Sequence, residues 1–436
     1  MRQRHALLGS ALLLIAASTA PAQEKFFFKD GDVVVVMGDS ITEQRLYSNY
    51  LEMWTITRFP SWKLTFRNVG IGGDTAGGGN GRFKRDVLAH NATALTVDFG
   101  MNDAGYRWAG QKRKEGEVTE ADIDKARDGY LKNQQAIADQ AKAAKIRVAW
   151  VTPQPIERGE PGKQDVEYNL TLEKYSAGVG EIAKKNDGLF CDQFHPYMAV
   201  INKPRESDPK ASRITGGDAV HPGPPGQALM AASILKGMSF PREVASISID
   251  VTASAGPKAT NCKIMSYRHQ DGVIKISRLD NALPFFPEEA KSILKWTPLL
   301  VDMNHYGLKV KGLPAGKYEV RIGGKKVAEY DAQELAEGVN LAEAALKAGP
   351  VSEQVKTVWK AVQAKTNYFH DEIFRGVQLA GAKSPAFKDV DPKDIEAKRK
   401  ELYEERMKKM PELDQAIRDA LAMRPYEMEI VPASKE

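Results

Sequence analysis

One run of apolar residues, Val33-Val34-Val35-Val36-Met37, constrains the fold of this chain more than any other segment. A continuous apolar run of this length, rich in β-branched residues, is typical of a strand that is buried on both faces. Similar apolar segments follow at Leu64 to Asn68, Leu95 to Phe99 and Arg147 to Thr152. Strands of this kind occur in parallel sheets that helices cover. We therefore expect parallel strands alternating with helices up to about residue 240.

The segment Gly38-Asp39-Ser40 follows the first of these runs, where a strand-to-helix turn would expose the serine hydroxyl. A hydroxyl is a weak nucleophile until a neighbouring base takes its proton, and that base needs an acidic partner to fix its tautomer. Asp218-Ala219-Val220-His221 supplies both groups on a loop that ends in prolines. The pattern predicts a serine esterase in which Ser40 is the nucleophile, His221 the base and Asp218 the carboxylate that orients the base.

Two further segments follow apolar strands and supply hydrogen-bond donors, which acyl transfer needs to stabilise an oxyanion. In Asn68-Val69-Gly70-Ile71-Gly72-Gly73-Asp74-Thr75, glycine allows a backbone N–H to approach a substrate oxygen closely. In Gly100-Met101-Asn102-Asp103, the side-chain amide of Asn102 is a neutral donor at any working pH. Both segments are therefore predicted to face the same substrate oxygen.

The four segments resemble, in the same order, the sequence blocks of the SGNH, or GDSL-like, hydrolase superfamily: Gly-Asp-Ser, a glycine turn, Gly-x-Asn-Asp and Asp-x-x-His. The resemblance covers roughly the first half of the mature chain. It implies a flavodoxin-like three-layer α/β/α sandwich around a parallel sheet. The first block departs from many members of the family, because Ile41 stands where they carry leucine.

The resemblance also implies a role for each residue of the site. Ser40, Asp218 and His221 would be catalytic, and the backbone N–H of Ser40, Gly73 and Asn102 would form the oxyanion hole. The choice of Gly73 over Gly70 or Gly72 depends on the alignment of the Gly-Asp-Thr triplet. The implied mechanism requires neither a metal nor an organic cofactor.

Each of these segments also has a structural interpretation. Ser40 followed by Glu43 fits a capping box at the start of a helix. His221 and Asp218 fit a surface loop and a turn. Residues 70–81 could be a phosphate-binding loop, but they lack the spacing GxGxxG and the ending GK[ST]. The occurrence of all four blocks together favours the catalytic interpretation.

The N-terminus has the pattern of a secretory signal peptide. Arg2 and Arg4 precede an apolar stretch, and Ala20-Pro21-Ala22 provides small residues for cleavage. We expect residues 1–22 to be removed and the protein to be exported to the periplasm or the extracellular space. No later run approaches the roughly 20 apolar residues of a membrane span, so we expect none in the mature protein.

The composition is that of a globular protein. The 436 residues are 42% hydrophobic and 27% charged, and the formal net charge is +5. No basic block is dense enough to predict a nucleic-acid partner. Cys191 and Cys262 permit one disulfide in an exported protein, or they remain two free thiols.

The pattern changes after about Phe240, and three parts follow the signal peptide: a hydrolase domain at 24–240, a β-rich accessory region at 241–338 and a helical region at 339–436. Short strands are predicted at 245–251, 272–276, 308–310 and 318–322. Gly323-Gly324 predicts a tight hairpin. Asn340 is a candidate cap for a helix at 341–347, and another helix begins near Asp391-Pro392 and runs toward Pro411.

The substrate is less well determined than the reaction. The chemistry suits small-molecule and polysaccharide esters alike. Export argues against cytosolic thioesters, and the resemblance to secreted members of the family implies a carbohydrate O-acetyl ester, with a lipase or arylesterase substrate as the alternative. Four aromatic residues near the catalytic blocks are candidates either for stacking on sugar rings or for the core: Trp54, Trp62, Tyr106 and Trp108.

A secreted binding protein that retains the hydrolase fold is the alternative of a different class. A nucleotide-binding oxidoreductase is a third class, which would need a strand, GxGxxG and a distal acid in one βαβ unit, and the sequence does not show this combination.

Overall fold

A computed structural model of the protein describes residues 25–105, 119–158, 162–163, 167–204 and 213–433. The predicted signal peptide, residues 1–22, lies outside the described residues. Within the described ranges, every helix is too short or too polar to cross a bilayer.

Sheet A consists of five parallel strands in the order β2-β1-β3-β4-β5. The strands are β1 Val33–Gly38, β2 Thr65–Asn68, β3 Ala94–Asp98, β4 Arg147–Val151 and β5 Leu189–Cys191. The four predicted apolar runs are confirmed as β1 to β4. Strand β5 was not predicted, because its three residues are too few to show a periodic pattern.

Helices cover both faces of sheet A, which confirms the predicted three-layer α/β/α sandwich. They are α1 Ser40–Glu43, α2 Leu46–Arg58, α3 Ala76–Asp86, α4 Glu120–Ala143, α5 Glu167–Lys185, α6 Phe194–Ile201 and α7 Pro224–Gly237. Helix α2 packs against α7, while α4 packs between α3 and α5. A short 3₁₀ turn, Leu88–His90, follows α3. Because helices lie on both sides, Val34 to Met37 of the inner strand β1 are completely buried.

Two further sheets follow α7. Sheet B has the order β13-β10-β6-β7, and the antiparallel sheet C has the order β12-β11-β14-β9-β8. Their strands are β6 Glu243–Asp250, β7 Lys258–Thr260, β8 Cys262–Gln270, β9 Val273–Asp280, β10 His305–Lys311, β11 Lys317–Ile322, β12 Lys325–Asp331, β13 Val339–Asn340 and β14 Tyr426–Pro432. The predicted hairpin is confirmed: Gly323 and Gly324 connect β11 to β12, and both have positive φ.

The remaining segments are helical. They are α8 Leu299–Met303, α9 Ala332–Glu337, α10 Ala342–Lys347, α11 Pro350–Asn367, a π-helix at Tyr368–Gln378, α12 Ile395–Met407 and α13 Met410–Ala420. Short 3₁₀ turns lie at Glu288–Lys295, Pro385–Phe387 and Pro392–Asp394. Pro411 lies in the first turn of α13, whereas the sequence indicated it as the end of the preceding helix. Proline is tolerated there because the first N–H groups of a helix have no partner within the helix.

The hydrophobic core is continuous from sheet A through sheets B and C to the C-terminal helices. Cys191 is buried and Cys262 is half-buried, and both are free thiols, so the disulfide that the sequence permits is not formed. The boundaries at 240 and 338 remain predictions.

Candidate active site

The order of the strands places the candidate site. In a sheet of order 2-1-3-4-5, the connections from β1 and β3 leave in opposite directions, and a crevice opens at the carboxyl ends of these two strands. Ser40 lies two residues beyond the end of β1, and Asn102 lies four residues beyond the end of β3. The glycine-rich segment follows the neighbouring strand β2. The fold therefore brings three of the four sequence blocks to one edge of sheet A.

Ser40 is the first residue of the short helix α1, and its hydroxyl is available for a partner outside the helix. Asp39, the residue before it, is the cap, because its Oδ1 accepts a hydrogen bond from the N–H of Ile41 at 2.9 Å. The interpretation of Ser40 as a helix cap is therefore wrong. Ser40 Oγ instead lies 3.0 Å from His221 Nε2.

His221 and Asp218 are held in one turn. His221 Nδ1 lies 3.0 Å from Asp218 Oδ2, and Asp218 Oδ1 accepts the backbone N–H groups of Val220 and His221, each at 2.7 Å. Partial burial pushes the pKa of Asp218 upward, but these backbone hydrogen bonds and the imidazole outweigh that effect and lower the pKa below its ordinary value. The carboxylate is thus ionised and fixed against the imidazole.

The glycine segment contains three candidates for a backbone donor, and their hydrogen bonds distinguish them. The N–H of Gly70 donates to Asn68 Oδ1 at 2.9 Å, and the N–H of Gly72 donates to Glu43 Oε2 at 2.6 Å. Among the described residues, the N–H of Gly73 has no hydrogen-bond partner. Gly73 has φ +77° in a turn that the hydrogen bond from Asp74 N to Ile71 O closes at 3.1 Å.

Asn102 connects the loops that follow β1, β2 and β3. Its Nδ2 donates to the carbonyl oxygen of Asp74 at 2.8 Å and approaches Asp39 Oδ2 at 3.3 Å. The second distance is at the long end of the range for a hydrogen bond. The amide predicted to bind an oxyanion is therefore placed between the serine loop and the glycine turn.

Three carboxyl groups lie beneath this surface. Burial raises the pKa of Asp39 to about 7, and it raises the pKa of Asp103 to about 7. Burial also raises the pKa of Asp98, which accepts a hydrogen bond from Gln193 Nε2 at 3.2 Å. Asp103 accepts the N–H of Ala76 at the start of α3, as expected for a residue that braces its loop. Among the described residues, Ser40 Oγ is hydrogen-bonded to His221, whereas these carboxyl groups bond to other groups of the surrounding loops.

The C-terminal region also reaches the site, which the sequence analysis did not predict. Glu43 Oε1 accepts hydrogen bonds from His370 Nε2 at 3.3 Å and from Arg375, and both residues belong to the π-helix. The sequence indicated Glu43 only as a capping residue. More than 320 positions separate it from His370 and Arg375. The local spacing of residues in a sequence gives no indication of a contact between such distant positions.

The aromatic residues proposed for sugar stacking lie elsewhere. Trp54 is completely buried and donates its indole N–H to the carbonyl of Phe285. Trp62 stacks on Phe59 at a centroid distance of 3.9 Å and packs near Phe26, before the start of β1. The stacking role is therefore wrong for these two. Tyr106 and Trp108 lie outside the described residues.

The comparisons with known proteins concern the family profile and the fold. Residues 36–229 match the sequence profile of the GDSL-like Lipase/Acylhydrolase family. No curated protein matches the chain by sequence. A gut microbial diltiazem-metabolizing enzyme is similar in structure, with 25% identity and a TM-score of 0.76, over 93% of this chain and 98% of its own. This similarity extends through sheets B and C and the C-terminal helices.

Two smaller enzymes match about half of the chain. An acetylxylan esterase from Geobacillus stearothermophilus is 21% identical with a TM-score of 0.42, and the match covers 50% of this chain and 98% of that one. An alpha/beta hydrolase enzyme from the metagenome of Lake Arreo, Spain, is 16% identical with a TM-score of 0.40, over 49% and 98% of the two chains. Residues 36–229 of the chain therefore have the sequence profile of a GDSL-like lipase/acylhydrolase domain, and they lie in the three-layer α/β/α sandwich described above.

Proposed function

We propose that the protein is a serine esterase that hydrolyses its substrate through an acyl-enzyme. One observation carries the proposal: Ser40 Oγ, the His221 imidazole and the Asp218 carboxylate form a continuous chain with both contacts at 3.0 Å. In that arrangement the carboxylate fixes the proton on Nδ1, so that Nε2 is free to accept the proton of Ser40.

The reaction begins when His221 Nε2 takes the proton from Ser40 Oγ and the oxygen attacks the ester carbonyl. The tetrahedral intermediate collapses as His221 donates that proton to the departing alcohol, which leaves the acyl group on Ser40. His221 then activates a water molecule, which attacks the acyl-enzyme and releases the acid. Asp218 stabilises the imidazolium in both halves of the reaction.

The oxyanion of each intermediate is bound by Ser40, Gly73 and Asn102. The N–H groups of Ser40 and Gly73 have no hydrogen-bond partner among the described residues, so they can donate to the oxyanion without breaking an existing bond. Donors that are already in place are worth about 3 kcal/mol each in acyl transfer. Asn102 supplies the third donor from the loop after β3, where its longer contact to Asp39 is the weaker of its two.

We propose a carbohydrate O-acetyl ester as the substrate of this exported enzyme. The predicted signal peptide supports this, because export separates the enzyme from cytosolic thioesters. Lipase or arylesterase substrates are the alternative within the same mechanism. Because Trp54 is completely buried, it cannot stack on a sugar ring, and sugar recognition would depend on other residues.

A second candidate is the ester of a small molecule. It is favoured by the similarity, over nearly the whole chain, to an enzyme whose name describes it as diltiazem-metabolizing. The two substrate classes share one mechanism and differ only in the alcohol that leaves.

The test is hydrolysis of nitrophenyl esters, from acetate to long acyl chains, by the mature protein and by a Ser40→Ala variant. We expect activity on short chains that falls by about a thousandfold or more in Ser40→Ala. Ser61→Ala is the matched control, because Ser61 is exposed and lies before β2, away from the crevice. Full activity in a folded Ser40→Ala variant would refute the serine mechanism.

Acetate release from acetylated xylan, measured beside release of the acid from small-molecule acetates, then distinguishes the two substrate classes. Preference for long acyl chains would favour a lipase. A folded wild-type protein that hydrolyses none of these esters would favour the binding-protein alternative.

A further inference from the structure

The π-helix at Tyr368–Gln378 is in contact with the loop that carries the proposed oxyanion donor, and Glu43 is the connection. One oxygen of Glu43 accepts the N–H of Gly72 at 2.6 Å. The other oxygen accepts hydrogen bonds from His370 and Arg375 of the π-helix. One carboxylate therefore joins helix α1, the glycine turn and the C-terminal region.

The π-helical geometry explains why both residues reach the same carboxylate. His370 and Arg375 are five residues apart, which is the hydrogen-bond spacing of a π-helix, so their side chains lie on one face. In an α-helix the same spacing would separate them by about 140° around the axis. Helices of this type are frequent at functional sites.

The contact lies close to the predicted nucleophile. A Cβ atom built on Gly72 would be 3.9 Å from the Cβ of Ser40 and 3.9 Å from Arg375 Nη2. Gly72 therefore lies between the serine and the guanidinium group. The same Cβ would lie 3.0 Å from Glu43 Oε2, so a side chain at position 72 would press on the carboxylate.

The π-helix is itself firmly placed. Phe369, Ile373, Phe374 and Val377 are buried. Asp371 makes a further ion pair with Arg45, the residue that precedes α2, at 3.3 Å. The residues that hold Glu43 thus belong to a well-packed element.

Glu43 is ionised at any working pH. Partial burial pushes its pKa upward, but the hydrogen bonds from His370 and Arg375, the charge of Arg375 and the N–H of Gly72 lower the pKa to about 2. A charged acceptor holds a backbone N–H more strongly than a neutral one.

We propose that Glu43, His370 and Arg375 form a clamp that positions the Gly72–Gly73 turn, so that the N–H of Gly73 stays directed at the oxyanion. This inference rests on the proposed esterase function. The clamp residues are positioning residues, since they act on the turn and not on the substrate. The C-terminal region is then part of the active site.

The turn needs such support. Gly72 and Gly73 are both exposed, and glycine has more conformational freedom than any other residue. The flanking residues Ile71 and Asp74 are held by other hydrogen bonds, but within the described residues the bond from Gly72 N to Glu43 is the one made by an atom of Gly72 or Gly73. A donor misplaced by about 1 Å loses much of its effect on the transition state.

The experiment measures kcat and KM on nitrophenyl acetate for Glu43→Gln, Arg375→Gln and the double variant. We expect each single variant to lower kcat by about tenfold or more with KM nearly unchanged, because a donor to the oxyanion acts in the transition state. The double variant should be no worse than the poorer single variant, since both changes release the same turn. Arg375→Lys should recover part of kcat, as lysine keeps the charge but loses the two-nitrogen contact.

Arg321→Gln is the matched control. Arg321 also binds one glutamate oxygen, of Glu319, through Nε and Nη2, and its side chain is 41% exposed compared with 42% for Arg375. Because Arg321 lies in sheet C, its replacement should leave kcat unchanged.

A failure of the clamp and a failure of the proposed esterase function give different experimental results. Thermal unfolding of each variant shows whether it is folded, and Arg375→Lys is the fallback if Arg375→Gln is not. Folded clamp variants with kcat within twofold of wild type would overturn the clamp, as would a rise in KM at constant kcat. An active Ser40→Ala variant would instead overturn the esterase mechanism.

Discussion

At the scale of single residues, the arrangement of Asp218 has a direct consequence for the tautomer of His221. An Asp218→Asn variant keeps an oxygen for the backbone N–H groups but presents an NH₂ group to Nδ1. The imidazole then carries its proton on Nε2, where it cannot accept the proton of Ser40. We expect kcat to fall by about 10²- to 10⁴-fold with little change in KM.

The check is steady-state kinetics on nitrophenyl acetate together with thermal unfolding of both proteins. Asp218 is largely exposed, its side chain being 64% accessible, so the substitution should leave the fold intact. A stable Asp218→Asn variant with wild-type kcat would show that the carboxylate does not orient the base.

Asp39 should make stability depend on pH in the opposite sense to an ordinary ion-paired carboxylate. Burial raises its pKa from 3.8 to about 7, so the folded protein binds a proton that the unfolded chain releases between these pH values. Folding stability from this group is therefore highest at low pH and declines as the pH rises from about 4 to about 7. Asp39→Asn removes the titration and keeps an oxygen for the N–H of Ile41.

Urea unfolding of wild type and Asp39→Asn at several pH values measures this effect. The stability of the variant relative to wild type should rise with pH by at most about 1.4 kcal/mol per unit between pH 4 and 7. A difference that stays constant across this window would mean that Asp39 is not protonated in the folded protein.

Single residues also show the limit of what the sequence predicts. Ser40, Asp218 and His221 each belong to a short local pattern, and the structure places the imidazole of His221 3.0 Å from Ser40 Oγ and 3.0 Å from Asp218 Oδ2. Arg375 belongs to no such pattern, and the pattern that includes Glu43 indicates only a helix cap. Their contact depends on how the C-terminal region packs, which local spacing does not encode.

At the scale of elements, the turn that carries Asp218 and His221 depends on Gly217. Gly216 and Gly217 have nearly the same positive φ, +67° and +66°. A Cβ on Gly216 would meet its nearest neighbour at an ordinary 3.6 Å, whereas a Cβ on Gly217 would lie 2.1 Å from the carbonyl oxygen of His221. Alanine at Gly216 would therefore introduce backbone strain alone, whereas alanine at Gly217 would introduce the same strain and a steric clash.

We expect Gly216→Ala to lower the free energy of unfolding by about 1–2 kcal/mol and to leave kcat nearly unchanged. Gly217→Ala adds a displacement of the His221 backbone, so its kcat should fall by tenfold or more. Kinetics and urea unfolding of both variants provide the comparison. Equal kcat values in the two variants would show that the turn accommodates a side chain without moving His221.

The strands were predicted correctly where the sequence has a strong apolar or turn pattern, and they were missed where the local pattern is weak. Strands β1 and β4 carry continuous apolar runs, and the hairpin at Gly323-Gly324 has a characteristic turn. Strand β14 follows a charged helical region and pairs with strands that lie more than 100 residues earlier. Its assignment to sheet C is a tertiary effect that overrides local pattern.

At the scale of the whole molecule, the C-terminal helices are fixed to the α/β sandwich by buried ion pairs. Arg67 of strand β2 binds Asp414 of helix α13 through two hydrogen bonds, at 3.2 and 2.7 Å. Lys365 of helix α11 binds both carboxylate oxygens of Glu52 in helix α2. Because β2 is the edge strand of sheet A, these helices also cover an edge that would otherwise be exposed.

The pair of Lys365 and Glu52 provides a test of this connection, because their side chains are only 2% and 5% exposed. Lys365→Met leaves a carboxylate buried without its partner, and the loss of one partner from such a pair costs about 3–5 kcal/mol of unfolding free energy. Replacement of both residues, Glu52→Leu with Lys365→Met, removes the unpaired charge as well. We expect the double variant to recover most of the lost stability.

Urea unfolding of the single and double variants measures this recovery, and Lys347→Met is the control. Lys347 pairs with Glu343 on the surface of helix α10, where both side chains are more than half exposed, and exposed pairs contribute little. If Lys365→Met were as stable as Lys347→Met, the α11 helix would not depend on this pair for its attachment to α2. The expected loss and its recovery would show that this buried pair couples α2, which begins three residues after Glu43, to α11, which leads directly into the π-helix.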